Sequence, residues 1–155
     1  MRLPIVNLFA LFALLNSITI FSLFARYAAI VWFDRALEIK PDDFDSLRSR
    51  ADSLSSLGRD VEAITWYDRV LNIKPNDYNT LRKKGISLHN LRKYKAAIEW
   101  YDRALSIKPE DYNALRAKGN SLHHLRQYDE AIELFDRALE IKPDDYNSLR
   151  SRADS

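Results

Sequence analysis

The residues of this chain whose types could do chemistry are three histidines and a recurring arginine. His89, His123 and His124 could suggest a metal, and a structural zinc site needs four convergent ligands. His89 and His123, however, stand 34 residues apart, and neighbours such as His123 and His124 diverge by about 100° on a helix. No carboxylate completes a shell around them, so no metal site is expected. The chain has no Cys, which excludes disulfides, thiolate nucleophiles and cysteine zinc sites. It has three glycines, no phosphate loop and no His-Glu-x-x-His, so nothing supports a nucleotide cradle or a zinc hydrolase. Catalysis needs unlike groups that converge once, whereas the Asp, Arg and His residues here belong to a motif that recurs. A non-catalytic chain without a cofactor is expected.

The arginines carry a different chemistry. Arg48, Arg82, Arg116 and Arg150 recur every 34 residues. With them recur Asn79, Arg82, Ile86 and His89, then Asn113, Arg116, Asn120 and His123, at steps of three, four and three that make one helix face. The counterparts upstream are Asp45, Arg48, Asp52 and Ser55, and downstream Asn147 and Arg150. Guanidinium groups present a planar fork suited to carboxylate or phosphate, so an acidic or carboxylate-ended peptide fits this face. A plain solvated face copied by duplication fits it slightly better, because every amphipathic helix needs one, and Asp45 and Asp52 temper the positive charge.

The elements that must position this face are legible from a 34-residue period. "WYDRVLNIKPNDYNTLRKKGISLHNL", "WYDRALSIKPEDYNALRAKGNSLHHL" and "LFDRALEIKPDDYNSLRSRADS" begin at Trp66, Trp100 and Leu134, and an earlier copy begins at Trp32. Pro41, Pro75, Pro109 and Pro143 keep the interval and end a helix, because proline cannot continue the ladder. Asp43, Asp77, Asp111 and Asp145 follow as N-caps for the next helix. Leu115, Gly119, Leu122 and Leu125 form one apolar stripe, and Ala131, Ile132, Phe135, Ala138 and Leu139 a broader one on a second helix. Two amphipathic helices per unit predict a hairpin that must stack to bury its faces. Ala51, Gly85 and Gly119, facing Ala63, Ala97 and Ala131, are expected to let the two helices approach closely. Trp32, Trp66 and Trp100 are read as packing between units.

At Leu81, Gly85, Ala97, Tyr101, Ala104 and Pro109, and again at Leu115, Gly119, Ala131, Phe135, Ala138 and Pro143, the unit resembles the tetratricopeptide repeat. The resemblance implies an all-α, right-handed α-solenoid of stacked helix-turn-helix hairpins, here preceded by one N-terminal hydrophobic helix. It divides the chain into a partial unit at 26–43, full units at 44–77, 78–111 and 112–145, and a truncated unit at 146–155. In such proteins the first helices line a concave groove, which implies that Arg48, Arg82, Arg116 and Arg150 lie inside it. Some members clamp a terminal carboxylate with Lys, Asn and Arg at set positions. Here Asp52 and Ala117 replace two of those, so that partner is not expected. The function implied is a protein-protein interaction scaffold.

The balance of 24 Lys plus Arg against 22 Asp plus Glu is too even to point to nucleic acid. It hides an asymmetry, because residues 3–25 carry no charge. Twenty-three residues at about 1.5 Å each would cross a hydrocarbon core of about 30 Å, so a single-pass membrane anchor of open orientation is expected. A signal peptide, which the length disfavours, and an apolar cap packed on the first repeat in a soluble protein are the alternatives. No breaker separates Phe24 from Ala36, which predicts one continuous helix into the array. At the other end, "DDYNSLRSRADS" over residues 144–155 restarts the unit written as "DDFDSLRSRADS" over residues 42–53. An unfinished stack exposes apolar surface, so either the chain is a fragment of a longer array, the favoured reading, or another subunit or domain completes it, self-association included.

Overall fold

The computed structural model describes the backbone of residues 6–154 and the side chains of residues 19–145 and 149–154. The described chain is helical throughout, in the order α1 (Val6–Ile39), α2 (Phe44–Ser56), α3 (Asp60–Ile73), α4 (Tyr78–Asn90), α5 (Tyr94–Ile107), α6 (Tyr112–His124), α7 (Tyr128–Ile141) and α8 (Tyr146–Ala153). Helices α2 and α3, α4 and α5, and α6 and α7 form antiparallel hairpins. Each hairpin packs on the next, and the first helices of successive hairpins touch.

The helix ends follow from local chemistry. Asp43, Asp77 and Asp111 have extended backbones, and their carboxylates accept from the backbone N–H of Ser46, Thr80 and Ala114. Each satisfies one of the orphan donors that open a helix. The turn inside each hairpin is a Schellman closure. Gly58 N–H donates to Ser55 C=O at 2.9 Å and Arg59 N–H to Leu54 C=O at 3.0 Å, and Arg92, Lys93, Arg126 and Gln127 repeat the pattern. This geometry requires a left-handed residue, which is Gly58 at φ 72° but Arg92 at 58° and Arg126 at 62°.

Packing inside a hairpin is built around an aromatic ring in a notch. A Cβ placed on Gly85 would lie 2.6 Å from the Tyr101 ring, and one on Gly119 would lie 2.7 Å from Phe135. The small residues expected to let two backbones approach therefore admit a ring. Leu47, Ala51 and Leu54 of α2 pack between α1, through Ile30 and Leu37, and α3, through Ala63, Tyr67 and Val70. Burial of each such leucine is worth about 1.5–3 kcal/mol.

Two side-chain ladders repeat with the period and join neighbouring units, and a third lies inside the hairpins. Arg50 pairs with Asp34, Lys84 with Asp68, Lys118 with Asp102 and Arg152 with Asp136. Arg69, Arg103 and Arg137 each donate to the carbonyl of a proline 28 residues earlier, Pro41, Pro75 and Pro109, at 2.8 to 3.2 Å. Arg50 lies 3.8 Å from the centre of the Trp66 ring and Lys84 3.5 Å from that of Trp100. Trp66 and Trp100 are half-buried between units, as the packing reading expects. Trp32 departs from it: it is 68% exposed, because the described residues contain no preceding first helix to cover it.

The unbroken α1 agrees with the missing breaker. Arg26 on it donates to Ser56 C=O at 2.6 Å, which ties it to the end of α2. The anchor expected over residues 3–25 gains no support. Among the described residues no helix is long and apolar enough to cross a membrane, while residues 3–5, and the side chains up to residue 18, lie outside what is described.

Candidate partner-binding groove

Helices α4 and α6 lie side by side, each held at its start by an aspartate cap and at its end by a Schellman turn. Their facing sides enclose a cleft of about 200 Å³ lined by Arg82, Ile86, His89, Tyr101, Asn113, Arg116, Ala117 and Asn120. The structure thus brings together Arg82, Ile86, His89, Asn113, Arg116 and Asn120, the core of the face read from the sequence. The Nε atoms of Arg82 and Arg116 are buried without a hydrogen-bond partner, and neither guanidinium joins any ion pair of the described residues.

The other members of that face are placed differently. Arg48 pairs with Asp45 at 3.1 Å and lies 5.1 Å from the centre of the Phe44 ring. Arg150 is exposed beside Asp154 at 3.6 Å. The four arginines are therefore not equivalent: the outer two sit beside carboxylates three or four residues away and the inner two join no ion pair among the described residues. Asn79 is exposed. His89 Nδ1 lies 2.7 Å from Ser121 Oγ on α6, as Ser55 Oγ lies 3.1 Å from Ser87 Oγ one unit earlier. His89 thus joins two units as well as lining the cleft. His123 packs edge-on against Tyr128, with ring centres 5.4 Å apart.

One residue that matters here is outside the face read from the sequence, and a second, read there only as tempering the charge, gains partners in the structure. Tyr101, on α5, forms the floor of the cleft. Burial raises its pKa while Arg82 and Arg116 oppose the shift, so the hydroxyl is a protonated donor at neutral pH. The second is Asp52, which occupies on α2 the position of Ile86 and Asn120. It accepts the hydroxyl of Tyr67, the counterpart of Tyr101, at 2.9 Å and pairs with Lys83. The signal for both was the alternation Tyr67, Tyr101, Phe135 with Asp52, Ile86, Asn120, which becomes meaningful only once the two positions are known to touch.

Three histidines and a tyrosine gather at the turn end of α4 and α6. Tyr94 stacks on His124 with ring centres 4.7 Å apart, and His89 lies 5.3 Å from His124. Burial first, and His124 second, hold the His89 pKa below its ordinary value. Among the described residues no group of three or more His, Cys, Asp or Glu could hold a metal.

The profile described as tetratricopeptide repeat matches residues 28–78 and 82–146. The chain belongs to the tetratricopeptide repeat family. Solved structures share the fold of this array. A MamA fragment from Desulfovibrio magneticus RS-1 is 22% identical with a TM-score of 0.78, covering 82% of this chain and 72% of that one. A MamA RS-1 double mutant is 21% identical with a TM-score of 0.80, covering 92% and 80%. The OM64 tetratricopeptide domain of Arabidopsis is 14% identical with a TM-score of 0.69, covering 72% and 92%. No curated protein matches the chain in sequence. The tetratricopeptide fold is that of a protein-protein interaction scaffold, and in this array the cleft between α4 and α6 holds Arg82 and Arg116, which join no ion pair among the described residues.

Proposed function

We propose that this array is a non-catalytic scaffold that holds a carboxylate-bearing segment of a partner protein between α4 and α6. The observation that carries the reading is the pair of buried, unpaired Nε atoms of Arg82 and Arg116 around one cleft. A buried donor left unpaired costs about 1–3 kcal/mol, and a hydrogen bond to a charged group contributes about 1.5–3 kcal/mol, so an anion entering the cleft gains from both. Tyr101 supplies a neutral donor, and the carboxamides of Asn113 and Asn120 suit the backbone of an extended segment. The functional units in this reading are 44–77, 78–111 and 112–145, with half units at 26–43 and 146–155.

Fluorescence anisotropy with a labelled Asp/Glu-rich peptide tests it. The full chain binds this peptide, binds the Asn/Gln version at least about tenfold more weakly, and loses binding in R82E/R116E. Equal binding of both peptides, or preferential binding of an oligonucleotide with a steep salt dependence, sinks it.

Membrane attachment through residues 3–25 is a separate reading. It is favoured by the exposed side chains of Ile20, Phe21, Leu23 and Phe24 and opposed by the lack of a spanning helix among the described residues. Alkaline carbonate extraction decides between them: attachment keeps the full chain in the pellet and releases a chain starting at Tyr27, whereas release of both removes the reading.

A further inference from the structure

His89 is half-buried where α4 meets α6, and its ring lines the same cleft as Arg82 and Arg116. Two hydrogen bonds fix which of its nitrogens carries the hydrogen. Ser121 Oγ donates to Ala117 C=O at 3.1 Å and lies 2.7 Å from His89 Nδ1. A hydroxyl has one proton to donate and two lone pairs with which to accept. With its proton on the Ala117 carbonyl, Ser121 Oγ accepts from the imidazole, so Nδ1 of the neutral ring bears the hydrogen. Nε2 is then a bare lone pair and the position at which His89 can gain a proton.

The surroundings of the ring keep that proton off. From α5, Tyr94 meets it edge-on with ring centres 5.1 Å apart, and from α6, His124 lies 5.3 Å away. The charged groups that share the cleft with it are Arg82 on its own helix and Arg116 on α6, while Tyr101 on α5 is neutral. The carboxylate of Asp60, at the start of α3, is bonded to Ser55 and to Asn90, the residue after His89. Burial and then His124 hold the His89 pKa down, and no carboxylate of the described residues opposes them. The ring thus stands among cations and apolar surface and lacks the one kind of neighbour that would favour its charged form.

We propose that the cleft takes up a proton together with its ligand: a carboxylate held by Arg82 and Arg116 draws a proton from solvent onto His89 Nε2, and the acidic segment binds more tightly as the pH falls. This rests on the reading of the cleft as a carboxylate site. An opposite charge within about 4–6 Å favours the charged form of an imidazole, and a cleft of about 200 Å³ keeps a carboxylate close to every group on its wall. Nδ1–H stays on Ser121 in both states, so protonation leaves the link between α4 and α6 in place. The sign follows from linkage. His89 has a higher pKa with the ligand than without it, so the gain in affinity is complete below the lower of the two values and is lost as the pH rises through the higher. The carboxylates of the segment, with ordinary pKa values of about 3.9–4.3, stay ionised throughout this window.

Isothermal titration calorimetry of the full chain with the Asp/Glu-rich peptide, run at pH 6.5 in two buffers of different ionisation enthalpy, counts the protons taken up. About half a proton is expected per peptide bound, and the affinity at pH 6.0 should be about fivefold that at pH 7.5, within the tenfold ceiling set by each unit of pKa rise. The chain has three histidines, so imidazole nitrogen NMR gives three signals, and His89→Asn or Ser121→Ala identifies the one from His89. That signal should show the Nδ1–H form in the free chain and the doubly protonated form with peptide at pH 6.5. His89→Asn should flatten the dependence of affinity on pH. Peptide binding without proton uptake overturns this inference and leaves the groove reading standing, as does uptake that appears on the His123 or His124 signal in place of His89. Absence of peptide binding at both pH values sinks the two together.

Discussion

Asp52 accepts a 2.9 Å hydrogen bond from the Tyr67 hydroxyl and pairs with Lys83, so between the first two complete hairpins the groove carries its own carboxylate. One unit onward the aspartate is Ile86, the tyrosine is Tyr101, and Arg82 and Arg116 join no ion pair among the described residues. The same helix face therefore carries an internal carboxylate at one step and none at the next among the described residues.

Ile86→Asp should close the second site from within. Its carboxylate would reach Tyr101 and the two arginines, and binding of an acidic peptide should fall at least about tenfold, the effect of losing roughly 1.4 kcal/mol. Circular dichroism should show an unchanged helical fold, and anisotropy titration measures the loss. Undiminished affinity would place the anion elsewhere.

Gly85→Ala and Gly119→Ala should each destabilise the array by about 1–3 kcal/mol, the usual cost of overpacking a filled core. The added methyl would sit 2.6–2.7 Å from the rings of Tyr101 and Phe135. Urea denaturation measures this, and trimming the ring in G119A/F135L should recover part of it.

Arg92→Gly and Arg126→Gly should act in the opposite direction. Both arginines hold the left-handed turn that Gly58 holds without a Cβ, at a cost of about 1–2 kcal/mol for an L-residue. Part of that gain is lost to the greater freedom of glycine in the unfolded chain, so a net stabilisation below about 1 kcal/mol is expected in the same denaturation experiment. Neither substitution touches the cleft, and peptide affinity should not change.

Acidification should weaken the junction between the second and third complete hairpins. The folded His89 pKa lies below the ordinary 6.5, first through burial and then through His124, so the unfolded chain takes up the proton more readily. Stability is present above pH 6.5 and is lost as the pH falls below it towards the folded value. Asp43, held at about 2 by Lys40 and Ser46, titrates far below this window. Thermal melts between pH 7.5 and 5.5 should show Tm falling, and His89→Asn should flatten the slope.

Much of the fold was legible in the sequence because its determinants are local and repeated. Pro75 with Asp77 and Pro109 with Asp111 mark helix boundaries by backbone chemistry alone, and the aspartate caps form as that chemistry requires. The polar face of Arg82, Ile86, Asn113, Arg116 and Asn120 was legible for the same reason: a helix places residues at steps of three and four on one side whatever surrounds it.

What the sequence by itself determined, then, was the period, the hairpin and the recurring polar face of the first helices. The tertiary structure alone decided which copies of that face are free. Arg48 and Arg150 stand beside Asp45 and Asp154, Asp52 meets Tyr67, and Tyr101 enters the notch of Gly85 from another helix. The ends were decided there as well. Ala29 and Leu149 have the same residue types as their buried counterparts, and their exposure depends on whether a helix packs over them among the described residues. Periodicity records what one helix does to itself, whereas pairing across helices depends on distances that only the packed chain defines.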